Sequence, residues 1–592
     1  METLAWTYGH WFLPSNKLQD YSRKIPHKKQ CRNFLRFEKN GHAARTQSKL
    51  VPFFFICPQS SWSWTRAYLG DVLVSEMPNR EDLSSPSTSL PSAPPFGSMI
   101  FHDDYMWSPK EIAEAVGGEV VRWGPPGTIS IDTRKLLRGQ WFFAISGANF
   151  DGHDLVDEAL ATEKGCVGVI GNSVPKNWRK GFIKVVGDSN VALVNMAKFA
   201  RNRFPGIVVC LTGSVGKTTT RTMIALALGC LGRIYQTHGN LNAHVGVALT
   251  LIGMPMDAKA AVIEVGMSKK GQILARARIC CPSVRVILNV GHSHLEFLDS
   301  LVDVAKAKGE LLADAEPGDI CVLNADDPLV MSIPVPPGAR KVLFGRGVGC
   351  DVRLLLAENV DGGHAVRVIL ETNMPNPVNQ FDITGKKTSE IAEFKIHGPG
   401  LHLALNACAA AAVAVSLGLP LPQIAELLSR FRPAPMRSQM SVTRSDIEII
   451  NDAYNANLQS MIAAINTLKS LDCRGKRVCI LGDMLEMGSL EEDAHDQVLK
   501  LCCDASSIGL IMLAGKRFLA AANRLRPLKK IDVVCGHDTE SLAALVADFL
   551  CPGDVVLVKG SRKMEMEKVV HAIHAIGLYN ACNWNGYNRI AV

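Results

Sequence analysis

No stretch of the sequence reaches the ~18 consecutive apolar residues that a membrane-spanning helix needs. The run Val51 to Cys57 is seven residues long. No Cys-x-x-Cys pair occurs, which speaks against a zinc ribbon. The 17 cysteines are diluted over 592 residues, with adjacent pairs only at Cys280–Cys281 and Cys502–Cys503. Thiols spread this thinly read as reduced and mostly buried, in a reducing compartment. Acidic residues are scarce in the first fifty positions: Glu2, Asp20 and Glu38 stand against ten Lys and Arg, so this stretch carries +7 of the chain's net +8. The body is therefore nearly neutral and lacks the basic face that coating a nucleic acid requires. A hydrophobic content of 47% with 20% charged residues is ordinary globular composition and excludes bulk disorder. The length sets a prior of about four domains or fewer.

Residues 1–104 differ from the rest. They are basic, show no sustained apolar period, and end in the linker-like Ser84-Ser85-Pro86-Ser87-Thr88-Ser89-Leu90-Pro91-Ser92-Ala93-Pro94-Pro95. No apolar segment follows the initial Met, so the stretch reads as an organelle transit peptide and linker rather than a secretory signal, with a disordered basic tail or a misassigned first exon as the alternatives. Three blocks follow, at 105–203, 204–432 and 433–592. The first opens with a capped helix at Ser108-Pro109-Lys110-Glu111 and continues in short β-rich runs such as Trp141-Phe142-Phe143-Ala144-Ile145. The second alternates apolar strands with helical stretches, the pattern of a parallel sheet covered by helices. The third alternates again and predicts a smaller doubly wound sheet. The expected fold class is thus α/β, with candidate hinges at Arg203-Phe204-Pro205 and Arg432-Pro433.

The strand-like run Ile207-Val208-Val209-Cys210-Leu211 leads directly into Thr212-Gly213-Ser214-Val215-Gly216-Lys217-Thr218-Thr219 and then a helical stretch. Strand, glycine loop and helix make the context of a phosphate-binding loop, here two residues shorter than the common form. Backbone N–H groups of Gly213, Ser214, Val215, Gly216 and Thr219 and the helix N-terminus would hold phosphate oxygens. Lys217 would reach the terminal phosphates and the Thr218 hydroxyl would ligate Mg²⁺. Glu264 closes the run Ala261-Val262-Ile263-Glu264 at the carboxyl end of a strand, where open α/β sheets build their sites, and could share that ion; alone, such a residue is more often a surface or cap residue. Val284-Arg285-Val286-Ile287-Leu288-Asn289-Val290 then leads to His292, His294 and, fourteen residues beyond His294, Lys308.

In this order the segments Thr212 to Thr218, Gly239-Asn240-Leu241-Asn242, Glu264-Val265-Gly266, His294 to Glu310, Gly400-Leu401-His402 with Asn406, Asp452-Ala453-Tyr454-Asn455-Ala456-Asn457 and Lys559-Gly560-Ser561-Arg562 resemble the motif series of the Mur ligase family. The resemblance covers roughly residues 105 to 575 and is specific. The Tyr-Asn-Ala-Asn and Lys-Gly-Ser-Arg segments, with Leu481-Gly482-Asp483-Met484-Leu485-Glu486-Met487-Gly488, look most like the branch that joins D-alanyl-D-alanine to a UDP-linked muramoyl tripeptide.

The resemblance implies a three-domain architecture: a UDP-substrate domain, a central ATPase domain with a phosphate-loop parallel sheet, and a C-terminal Rossmann-like domain. It implies an ATP-dependent, ADP-forming amide ligase of peptidoglycan precursor synthesis that works through an acyl phosphate. Two Mg²⁺ ions are expected, one on Thr218 and Glu264, the other on His294 and Lys308. Lys308 would be carbamylated by CO₂, because Mg²⁺ prefers hard oxygen ligands to a repelling ammonium. Lys217, Lys308, His294 and Arg437 would be catalytic, with Arg437 on the terminal phosphate, Asp452 on the ribose and Asn406 on the adenine side. Thr133, Arg134, Asn240, Asn242, Asn455 and Arg562 would face the substrates. A bacterial-type wall enzyme behind such a leader points to the plastid stroma, to a monomer, and to neither nucleic-acid nor membrane partners. The family's pattern is broken at Ala243, Asp299, Leu403 and Leu458, and 579–592 matches none of it. The alternatives are another ligase of the same fold, like folylpolyglutamate synthase, and a plastid scaffold or nucleoid-associated protein without turnover.

Overall fold

The computed structural model describes residues 104–147, 150–292, 298, 300–374, 389–525 and 531–577. The leader and its linker (1–103), His294, Asp299 and the tail 578–592 lie outside the described residues.

The run that precedes the phosphate loop is apolar because the strand it forms, Ile207–Thr212, is interior to a sheet covered on both faces. That strand pairs in parallel with Ala260–Glu264 on one side and Val284–Ile287 on the other. The full sheet has nine strands. Ile234–Gln236 lies beyond Ala260–Glu264. On the other side Ile320–Asn324, Arg340–Gly345 and Val352–Val360 continue the parallel part. From Ile207–Thr212 the chain goes to the far edge, returns beside it, then crosses to its other side. The carboxyl end of Ile207–Thr212 is therefore a topological switch point, where a crevice opens between departing connections.

One end of this sheet departs from the expected helix-covered parallel pattern. Val352–Val360, Ala365–Thr372 and Glu390–His397 run antiparallel to one another. Only the short turn Asp361–Gly363 joins the first two, too little chain for a parallel crossover. Their alternating burial shows one face packed and one solvated.

The first block forms a five-stranded sheet in the order Glu119–Arg122, Gly181–Lys184, Gly168–Gly171, Trp141–Phe143, Ile129–Ser130, antiparallel only at its first pair. The Ser108 cap is present as a full capping box on the helix Pro109–Val116. The third block forms six strands in the order Gln439–Val442, Glu448–Asp452, Val555–Lys559, Arg477–Gly482, Ile508–Ala514, Asp532–Gly536, parallel except for its antiparallel edge.

The cores do not follow the three sheets. Trp107, Ile112, Trp141, Phe143, Ile170 and Ile183 of the first block share one continuous core with Cys210, Val247, Leu251, Ile263 and Val304 of the middle block. Trp107 Nε1 donates to the Ile252 carbonyl at 3.0 Å. The Arg203 guanidinium lies between the rings of Tyr105 and Trp107, 3.5 and 3.8 Å from their centroids. The third block closes two cores of its own, one on each face of its sheet. Among the described residues no helix is long and apolar enough to cross a membrane.

Candidate active site

The phosphate loop is set by glycine geometry. Gly216 sits at φ +79°, and a Cβ there would lie 2.8 Å from Asn406 Oδ1. Asn406 reaches the loop from His402–Ser416, an alanine-rich helix. A Cβ on Gly213 would lie 2.9 Å from Leu288 Cβ. Asn289, at the end of the neighbouring strand, braces the loop: its Oδ1 accepts from the N–H groups of Ser214 and Val215, both at 2.9 Å, and its Nδ2 donates to the Val215 carbonyl at 3.0 Å. Ser214 and Gly291 bond each other through the serine hydroxyl at 2.8 and 3.1 Å. Lys217 folds back over the loop and donates to the Gly213 carbonyl at 2.9 Å. Thr219 follows in the first turn of the helix Lys217–Ala227.

Register brings Glu264 to this loop, because Leu211 and Glu264 are paired at the carboxyl ends of adjacent parallel strands. Glu264 is 1% exposed. Its Oε2 accepts from the Thr218 hydroxyl at 3.0 Å, and its Oε1 from Asn242 Nδ2 at 2.7 Å. The buried Arg221 guanidinium lies 3.5 Å from Oε2 and donates to the Gly239 carbonyl at 3.0 Å. Asn240 shares that turn, its carbonyl accepting from the Asn242 N–H at 2.7 Å.

The third block enters through Arg437, whose guanidinium donates to Thr218 Oγ1 at 3.0 Å and stacks 4.0 Å from the Tyr454 ring centroid. The flanking Met436 and Ser438 both have positive φ, +57° and +53°, so this loop is held in a strained conformation. One anchor is Asp452: its Oδ1 accepts from the Ser438 N–H at 3.0 Å, and its Oδ2 from buried Lys559 at 2.6 Å. Lys559 also donates to the Asn455 carbonyl at 2.7 Å, while the Asn455 side chain accepts from the Ala456 N–H. Burial pushes the Lys217 ammonium below its usual range and Arg437 adds to that, against the pull of Glu264.

Lys308 is not the solvated helix lysine that its position suggests. It is 2% exposed on the helix Leu301–Gly309. None of the hydrogen bonds or ion pairs among the described residues reaches its amine. Burial, reinforced by the charge of Lys217, holds it well below the usual lysine range.

Other expected residues lie apart from this centre in their contacts. Arg134 is paired with Asp132 at 2.9 Å, its side chain 85% exposed, and Thr133 lies in the same turn. Arg562 is paired with Glu567 at 2.7 Å. Arg221, Asn289, Tyr454 and Lys559 carry the geometry without having been singled out as site residues. The signal for Arg221 was its place one helical turn after Thr218, on the same face.

The donor set can be tested against the groups expected. Thr218 and Glu264 put two hard oxygens 3.0 Å apart at a buried loop, which suits Mg²⁺. The glycine cradle at Gly213 and Gly216, followed at once by the start of the helix Lys217–Ala227, suits a polyphosphate. A buried amine with no charge partner among the described residues suits conversion to an anionic oxygen ligand, since an ammonium there is poorly solvated.

The Mur ligase middle domain matches residues 211–414, and the Mur ligase, glutamate ligase domain matches 436–562. The UDP-N-acetylmuramoyl-tripeptide–D-alanyl-D-alanine ligase of Bacillus subtilis is 33% identical over 78% of this chain and 97% of its own length. That of Escherichia coli is 31% identical over 76% and 94%. A crystal structure of MurF from Acinetobacter baumannii superposes with a TM-score of 0.68 at 25% identity, covering 80% of this chain and all of that one. With both domains matched in order and the relatives covered almost end to end, the chain belongs to the Mur ligase family, grouped with its tripeptide–D-alanyl-D-alanine ligases.

Proposed function

We propose that this protein is an ATP-dependent ligase that joins D-alanyl-D-alanine to a UDP-N-acetylmuramoyl tripeptide in peptidoglycan precursor synthesis. The observation that carries the reading is the meeting of Thr218, Glu264 and Arg437 within hydrogen-bond distance at the phosphate loop, with the arginine supplied by a different block. A carboxylate oxygen of the tripeptide attacks the terminal phosphorus of ATP, the bond to the bridging oxygen breaks, and ADP leaves. The dipeptide amine then bonds to the acyl phosphate carbonyl carbon, the bond to phosphate breaks with its electron pair, and the nitrogen sheds a proton. Phosphoryl transfer asks little covalent chemistry of the protein, so these side chains act by alignment and charge neutralisation.

Lys217 and the loop N–H groups hold the phosphates. Arg437, kept in plane by Tyr454, clamps the terminal one. Asp452 accepts from the ribose and Asn406 borders the adenine. Asn240 and Asn242, with Thr133 and Arg134 of the first block, face the UDP-linked substrate, and Asn455 and Arg562 face it from the third. Thr218 and Glu264 would hold one Mg²⁺, and His294 with a carbamylated Lys308 would hold a second. Mg²⁺ supplies positive charge against the oxygens that become more anionic during transfer. The test is phosphate release by the purified protein with ATP and the UDP-tripeptide, with and without D-alanyl-D-alanine. Release that the dipeptide does not stimulate would sink the reading. The basic stretch 1–50 supports targeting to the plastid stroma. A fluorescent fusion of residues 1–100 should enter chloroplasts, and a cytosolic signal would refute that.

A further inference from the structure

Gln459 is the second residue of the helix Leu458–Ser470, which the third block presents to the phosphate loop. Its side-chain amide lies flat against Gly291: a Cβ there would fall 1.8 Å from Gln459 Oε1 and 2.5 Å from Nε2. Gly291 in turn is bonded through both its N–H and its carbonyl to Ser214 of the loop. The amide therefore sits one residue away from the loop that holds the transferred phosphate. Oε1 is buried and accepts no hydrogen bond among the described residues. Its neighbours in sequence are used up: Asn455 Oδ1 accepts from the Ala456 N–H, and Asn457 Oδ1 from the Ser460 N–H. A buried acceptor without a donor is costly and calls for an explanation.

We infer that Gln459 Oε1 is the acceptor for an N–H of the incoming amine. The inference rests on the ligase reading above and names the residue that selects and orients its second substrate. After transfer the phosphate is bonded to the acyl carbonyl, so the carbon to be attacked lies beside the loop, where the Gln459 amide meets Gly291. A neutral amide suits this task better than a carboxylate. Lys217 and Arg437 bring positive charge to the adjoining phosphate loop. The amide oxygen directs one N–H without stabilising the protonated, unreactive form, whereas a carboxylate would hold the proton on.

The experiment measures KM for each of the three substrates, and the pH dependence of kcat, in the full chain and its Gln459→Met and Gln459→Glu variants. Gln459→Met should raise KM for D-alanyl-D-alanine about three- to tenfold, the worth of one hydrogen bond. KM for ATP and for the UDP-tripeptide should stay within about twofold, since neither meets this amide. Gln459→Glu should move the rising limb of kcat to higher pH. If Gln459→Met leaves the dipeptide KM unchanged, or raises all three together as a packing defect between blocks would, the inference is overturned while the ligase reading stands. If the unsubstituted chain shows no dipeptide-stimulated phosphate release, the reading falls and the inference with it.

Discussion

Glu264 answers to Thr218, Asn242 and Arg221 at once, and among the described residues it is the carboxylate paired with the buried Arg221 guanidinium. Glu264→Gln keeps the hydrogen-bonding shape but leaves that guanidinium uncompensated. The unliganded variant should lose about 3 kcal/mol of stability, the lower end of the cost of stripping one partner from a buried pair. Chemical denaturation reads this directly, and an unchanged midpoint would mean that solvent reaches Arg221. Lys308 makes the opposite case. Its amine is buried with no partner among the described residues, so Lys308→Met should abolish ligation while the unfolding midpoint holds or rises, because a poorly solvated amine is replaced by an apolar chain of similar length. Near-normal turnover in that variant would remove the carbamate assignment, and His294 as its partner. Both residues were legible in the sequence, Glu264 by its strand end and Lys308 by its motif. The burial of Lys308 was not, since a lysine near the end of a helix carries no mark of which way the helix faces. Arg221, one helical turn after Thr218, and Lys559, at the head of the Lys-Gly-Ser-Arg segment, were marked in place but not in role: strand order sets them against Glu264 and Asp452.

At the scale of elements, the phosphate loop is the best encoded part because its information is local. A buried strand, two constrained glycines and a helix start lie within a dozen residues. The antiparallel end of the middle sheet was illegible as such, since the clue was a short turn rather than a motif. The helix His244–Gly253 shows a local cost. Its N-cap position is Ala243, extended at φ −83° and ψ 174°, with no side-chain cap. The family pattern has Asn at this place, a good capping residue. Ala243→Asn should stabilise the protein by about 1 kcal/mol, seen as a rise of a few degrees in Tm. No gain would show that the helix start is already satisfied by other groups. Leu403, the other departure beside the site, is a core residue packed near Gly398, so its apolar character is explained by position.

On the scale of the whole molecule, polar contacts help join the third block to the middle one. His364 is one: its Nε2 meets Glu448 Oε1 at 2.5 Å across the boundary, and its Nδ1 the Asp361 carbonyl at 2.8 Å. Partial burial pulls the imidazole down, but Asp361, Glu448 and Asp472 together hold it above its usual value. A raised folded-state value adds stability that is fully present below about pH 6.5 and is lost as pH climbs through the folded value. The native protein should therefore lose part of its stability between neutral and mildly alkaline pH, and His364→Gln should flatten that slope. A slope unchanged by the substitution would place the titration elsewhere. The expected hinge at Arg203 is pinned, with its guanidinium between two rings and Arg201 donating to the Cys280 and Cys281 carbonyls at 2.6 and 2.9 Å. The shared core of the first two blocks also decides where the gene can be divided. Coexpressed halves cut between Arg432 and Pro433 should each be soluble and should reassemble a working enzyme. Halves cut between Arg203 and Phe204 should precipitate, because that break leaves Trp107, Trp141 and Phe143 on one fragment and Val247, Leu251 and Ile263 on the other, each deprived of its complement.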